Sequence, residues 1–237
     1  RSGLDVSATT GLASTNKLKF TNILGTSGAA SLIPRFFVTG SDFGAYDTAN
    51  GVTTFAGYAT PVDIDTALAS DVVKVAAGTT GLTATANRTL RGLALTDTAP
   101  RTLASTANNT LTISSGAILA AGGVTHTLAI PRLNFVTTPS VTTTNASANV
   151  TTASTAGFAV GQVITGTGIP GNAFITGITN ATTFTISANA TASGTVTATT
   201  YAPAFVTVDT ATTLNLTGAV VSNSDLTKQG AGTLTVS

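Results

Sequence analysis

The chain has 237 residues and a formal net charge of +1, with nine Asp, no Glu, and no Cys, Met or Trp. Near neutrality leaves no electrostatic basis for nucleic-acid binding, absent cysteine excludes disulfides and thiolate metal sites, and no apolar run is long enough for a membrane helix. Charged residues are 8 % against 42 % apolar, and Thr alone is about a fifth of the chain, so the composition is that of a folded, nearly all-β protein rather than a disordered tail.

In chain order, the sequence opens at Arg1 without a signal peptide. We read it as a segment or processed product of something longer, so the missing signal does not argue for the cytoplasm. The first extended pattern, residues 31–58, reads SLIPRFFVTGSDFGAYDTANGVTTFAGY. It contains Ile33-Pro34-Arg35, Gly40, Asp42-Phe43, Tyr46-Asp47 and Asn50-Gly51-Val52. Asp42 and Asp47 do not have the alternating oxygen spacing of a calcium loop. Turn chemistry accounts for Asp47 and Asn50-Gly51. This stretch resembles a segment of long planctomycete-type surface proteins, "ILPxxxVxGxDFATYDxxNGVRAF". The later order Leu90-Arg91-Gly92-Leu93, Leu111 to Ser114, and Gly116-Ala117-Ile118-Leu119 fits the same resemblance.

Asp63-Ile64-Asp65 places two carboxylates on one strand face, with Lys74 and Arg88 nearby in sequence. A parallel β-helix polysaccharide lyase would use such acids to bind calcium and a basic residue to take the proton. A third acid is missing, so solvated strand-end carboxylates explain the pair as well. His126, the single histidine, alternates with Val124 and Leu128 and reads as a strand residue rather than a catalyst. There is no Gly-x-Ser-x-Gly elbow. Seven Asn-x-Ser/Thr sequons, among them Asn87, Asn108 and Asn215, follow from composition.

Between residues 133 and 208 no charged residue occurs. Residues 157–187 read GFAVGQVITGTGIPGNAFITGITNATTFTIS, with a turn at Gly166-Thr167-Gly168-Ile169-Pro170-Gly171 and strands at 174–178 and 183–187. The glycines are not a phosphate loop, since no Lys-Ser/Thr follows. Phe158, Phe174 and Phe184 occupy core-like positions. This segment resembles a small β-module, "GLxVGMxVSGTGIPxGTxVxxI…TFTLS", of bacterial surface and phage fibre proteins. We read it as an insertion, which loop-closure entropy tolerates.

Three segments share one pattern: Asn109-Thr110-Leu111-Thr112-Ile113-Ser114, Thr212-Thr213-Leu214-Asn215-Leu216-Thr217 and Gly232-Thr233-Leu234-Thr235-Val236-Ser237. Leu111, Ile113, Leu214, Leu216, Leu234 and Val236 are expected inside, and Thr112, Asn215 and Thr235 outside. The last two segments are about twenty residues apart, the length of a solenoid rung. The final stretch, LTKQGAGTLTVS, resembles the opening of the autotransporter-associated β-strand repeat, roughly "LTKxGxGTLTLSG". That resemblance implies a long bacterial surface or secreted β-solenoid, with the rest of the repeat beyond Ser237.

The combined expectation is an all-β, right-handed parallel β-helix over 1–140, an inserted β-module over 141–200, and a solenoid continuation over 201–237. The expected role is a non-catalytic, structural module of an extracellular or cell-surface filament. It would self-associate end to end or stack on further repeats, with no cofactor, no metal, no nucleic acid and no membrane span. The alternatives are a surface adhesin or autotransporter passenger binding glycans or cells, a β-helix polysaccharide lyase, and a phage tail fibre.

Overall fold

A computed structural model describes residues 4–6, 31–38, 42–47, 51–59, 63–155, 158, 160–201, 204–222 and 225–237. The protein is all-β. Among the described residues the helical content is one 3-10 turn, Ile64–Thr66, and no helix is long and apolar enough to cross a membrane. Branched Thr and Val side chains pack well on pleated backbone, and their alternation sets which face each residue takes.

Two sheets are wholly parallel, and their strands stack in three columns. The first column holds Val72–Val75, the second halves of Arg88–Leu95 and Thr110–Ala120, then Ala204–Val208 and Leu226–Gln229. The second column holds Thr83–Ala84, Thr102–Ser105, Thr125–Ala129, Thr213–Leu216 and Thr233–Val236. The third holds the first halves of Arg88–Leu95 and Thr110–Ala120, then Arg132–Asn134 and Ala219–Val221. The chain visits the columns in this order and returns to the first. Thr110–Ala120 spans two columns because its register shifts between Ile113 and Ala117, where Gly116 has φ +77°.

The inner rows are aliphatic and in register. Val73, Leu93, Ile118 and Val206 form one row; Val75, Leu95, Ala120 and Val208 form the next. Leu103, Leu128 and Leu216 line the second column. All belong to one buried cluster, where each large side chain contributes roughly 1.5–3 kcal/mol of burial free energy. Leu111, Ile113, Leu214 and Leu216 are buried in it, and Leu234 is partly buried against it. Val236 is 53 % exposed, because Thr233–Val236 is the edge strand of its sheet. Asn215 is half-buried and Thr235 exposed. Thr112 is buried rather than exposed; the neighbouring Asn134 donates from Nδ2 to its hydroxyl at 3.4 Å.

Parallel pairing in these sheets begins at Tyr58–Ala59. The strands ahead of it, Leu4–Val6, Ser31–Val38, Asp42–Asp47 and Gly51–Thr54, form a separate four-stranded sheet, antiparallel from its second strand onward. Phe43, Ala45 and Phe55 of this region pack on Val72, Ala94, Ala117 and Leu119, the outer face of the first column.

Between Arg132–Asn134 and Ala204–Val208 the pairing turns antiparallel. Val136–Thr137, Thr199–Tyr201 and Val163–Thr165 make a three-stranded sheet. Ile175–Asn180, Thr183–Ile186, Asn149–Thr152, Ser140–Thr143 and Gly194–Thr197 make a five-stranded one. This module has its own core, in which Phe158 and Phe184 stack at 5.0 Å. Phe174 lies outside that core at 36 % exposure. Its neighbours Ala173 and Ile175 both face inward, and alternation turns Phe174 out.

Candidate functional site

Asp63 and Asp65, expected on one face of a strand, lie instead at a 3-10 turn. Asp63 precedes the 3-10 turn, and its Oδ1 accepts the Asp65 N–H at 2.9 Å as an N-cap. Asp63 also bridges to Gly81, where a Cβ would lie 2.6 Å from the Asp63 Cα. Asp65 reaches the following turn. It accepts the Thr85 N–H at 3.0 Å and the Thr85 hydroxyl, and pairs with Arg88 Nε at 2.8 Å. The Thr85 hydroxyl, together with the Thr85 amide and Arg88, holds the Asp65 carboxyl below the usual carboxylate range against a smaller opposing effect of burial.

Lys74 does not join this group. It lies between inward-facing Val73 and Val75, so its side chain leaves the opposite face. There it pairs with Asp42 at 2.9 Å and sits 4.8 Å from the centroid of the Tyr58 ring. The Phe43 N–H donates to the Tyr58 hydroxyl at 2.9 Å, and burial pushes the Tyr58 phenol up. Asp42 thus joins the N-terminal sheet to the first column. Asp47 pairs through its backbone with Gly51; Asn50 lies outside the described residues.

His126 is fully buried, and its environment was not legible from sequence. Its Nδ1 accepts the Arg101 N–H at 3.2 Å, so Nε2 carries the ring proton and donates to the Ala121 carbonyl at 2.9 Å. Arg101 continues the network. Its Nε contacts Asp97 Oδ2 at 2.5 Å and its Nη1 donates to the Thr79 carbonyl at 3.3 Å. Asp97 accepts the Ala99 N–H at 3.0 Å. That amide, followed by Arg101, lowers the Asp97 carboxyl below its ordinary range. The local signal was an Asp four residues before an Arg across Pro100 in T-D-T-A-P-R, but nothing local names His126 as the third member. These residues tie successive corners between the first and second columns.

The Gly166–Gly171 stretch is closed and anchored by backbone hydrogen bonds. Ile169 N–H donates to the Gly166 carbonyl at 3.0 Å and Thr191 N–H to the Gly168 carbonyl at 2.9 Å. Among the described residues no three His, Asp or Glu side chains converge as metal ligands do. No family model, curated protein or solved structure matches the chain.

Proposed function

We propose that the parallel columns from Tyr58 onward form a right-handed parallel β-helix with a small inserted β-module, and that the chain serves as a rigid, non-catalytic segment of a secreted or cell-surface fibre. The observation that carries this reading is the three strand columns in continuous register, with aliphatic rows running through them. Right-handed winding is the sense favoured for parallel crossovers.

The likeness to the autotransporter-associated repeat has a physical counterpart. In LTKQGAGTLTVS, Leu226 and Leu234 pack against the core. Gly230 has φ +79°, and a Cβ there would lie 2.3 Å from the Val208 carbonyl oxygen; one on Gly232 would lie 2.2 Å from that of Asp209. The two glycines of the motif are therefore the positions where one corner presses on the corner before it. Asp63, Asp65, Asp97, Arg101 and His126 all serve turns or corners, which supports a structural role. A lyase would need an unengaged Lys74 or Arg88 beside Asp63 and Asp65; Lys74 is taken up by Asp42 and Arg88 by its ion pair with Asp65, which speaks against that reading.

Parallel columns grow by adding strands at their edges. The unit stacks on further repeats of the same chain or on another copy. Negative-stain imaging and light scattering over a concentration series test this: rods that lengthen on association are expected. Globular particles that stay monomeric at all concentrations, or release of unsaturated sugars from uronic-acid polysaccharides, would refute it.

A further inference from the structure

The outer faces of the columns differ. The first lies under Phe43, Ala45 and Phe55. At the bend between the third and first columns, Gln162 of the module donates to the Ser114 carbonyl. Among the described residues nothing covers the second column, and its outer residues form a two-dimensional array. One row is Thr125, Thr213 and Thr233. The row beside it is Thr102, Thr127, Asn215 and Thr235. No register shift interrupts these pairings. The strand geometry sets spacings of about 4.8 Å across strands and about 6.6 Å along them.

On this face Thr102, Thr125, Thr127, Thr213, Thr233 and Thr235 have no side-chain hydrogen-bond partner among the described residues; Thr102, Thr125, Thr233 and Thr235 are exposed, and Thr127 and Thr213 half-buried. Elsewhere outward threonines satisfy one another, as Thr142 with Thr195 at 2.8 Å and Thr176 with Thr185 at 2.9 Å. The open rows carry no Asp, Lys or Arg, so a charged partner has nothing to pair with. They carry no aromatic ring, so a sugar has no stacking platform.

We infer that this face binds an ordered water lattice, the surface of ice. Each threonine hydroxyl offers one donor and two acceptor lone pairs, so it can make all but one of the hydrogen bonds of a lattice water, and its methyl displaces liquid water beside the hydroxyl. A prism face of ice is an uncharged rectangular net of oxygens whose shorter repeat is close to the spacing across strands and whose longer repeat is somewhat greater than the spacing along them. The inference rests on the strand registers and not on the fibre reading, so either can fail alone.

The test is ice-affinity partition of the full 237-residue chain, with the gap between melting and freezing temperatures measured alongside. Enrichment in slowly grown ice and a measurable gap are expected. Thr127→Tyr and Thr213→Tyr, placed in the two rows, should bring both down to the level of a non-binding protein. Thr151→Tyr, exposed on the module, should leave both unchanged. Circular dichroism checks each variant, and Thr233→Tyr on the edge strand replaces any that does not fold. Exclusion of the folded wild type from ice, or tyrosine variants that partition like it, would overturn the inference. So would adsorption to crystalline cellulose, lost in the same variants, without adsorption to ice.

Discussion

Gly122 and Gly123 sit on the same corner and differ in a way that one methyl group can read. Both have positive φ, +110° and +70°. A Cβ on Gly122 would lie 2.1 Å from the Asp97 carbonyl oxygen and 2.8 Å from its carbon, whereas one on Gly123 meets nothing within 4 Å. Gly123→Ala therefore carries only the left-handed backbone penalty, about 1–2 kcal/mol. Gly122→Ala carries at least that penalty, because φ +110° lies beyond the left-handed helical region, and must also push one corner off the next. Asp97 cannot yield freely, because its side chain holds Ala99 and Arg101. Such overpacking adds about 1–3 kcal/mol. For a chain of this size, each kcal/mol moves Tm by about 2–4 °C, so the two variants should melt about 2–12 °C apart. Far-UV circular dichroism during heating and in urea measures the gap. Stacked repeats can unfold in parts, so hydrogen exchange over residues 97–101 and 121–125 shows which corner opens. Equal stability of the two variants, or a larger loss for Gly123→Ala, would refute the close stacking of corners.

Leu214→Ala should destabilise by roughly 2–5 kcal/mol as a fully buried truncation, and Val236→Ala by no more than about 0.5 kcal/mol as an exposed one; urea midpoints rank them. Asp65 and Asp97 have folded pKa values below those of the unfolded chain. Their stabilisation is full above about pH 4 and is lost as pH falls through the folded values, so Asp65→Asn with Asp97→Asn should shrink the stability difference between neutral and acid pH. No Lys or Arg lies between Arg132 and Lys228, so trypsin should leave this stretch as one fragment, while a broad-specificity protease should cut the native protein slowly. Replacing residues 138–199 by Asn-Gly should close a hairpin between Thr137 and Thr200, which are already antiparallel partners; a retained β spectrum and cooperative melt are expected, and loss of fold would show that the module is integral to the columns.

The class of the fold and much of its core were legible because alternation is local. Leu111, Ile113, Leu214 and Leu216 face inward for the reason the sequence suggests. The same alternation separates Lys74 from the Asp63–Asp65 pair it was grouped with by sequence, since Val73 and Val75 on either side turn it out. Phe174 misled because aromatic size is not parity, and Ala173 and Ile175 had already taken the inward positions. Pairing direction was not legible. The antiparallel partners in the stretch 31–58 are sequence neighbours, with Val38 facing Asp42 and Asp47 facing Gly51 across short connections, and alternation alone does not separate such a meander from stacked rungs. The His126 network was hidden for a different reason. Asp97 and Arg101 are four residues apart, but His126 meets them only once Leu103 is set beside Leu128.

That corner also answers how a charge-poor stack finds its register. The inner rows are too alike to fix it alone, since a slip by one rung would still place Val, Leu or Ile against another aliphatic residue. The corners are not alike. Arg101 N–H needs His126 Nδ1, and Gly123 N–H needs the Thr212 hydroxyl at 3.0 Å. His126 and Thr212 are almost wholly buried. A slipped stack would leave these groups unpaired inside, at about 1–3 kcal/mol for each buried polar group. It would also bring a side chain to places where only Gly122, Gly230 and Gly232 fit. The aliphatic rows supply most of the stability, while the polar corner and its glycines select one register among several with nearly equal cores.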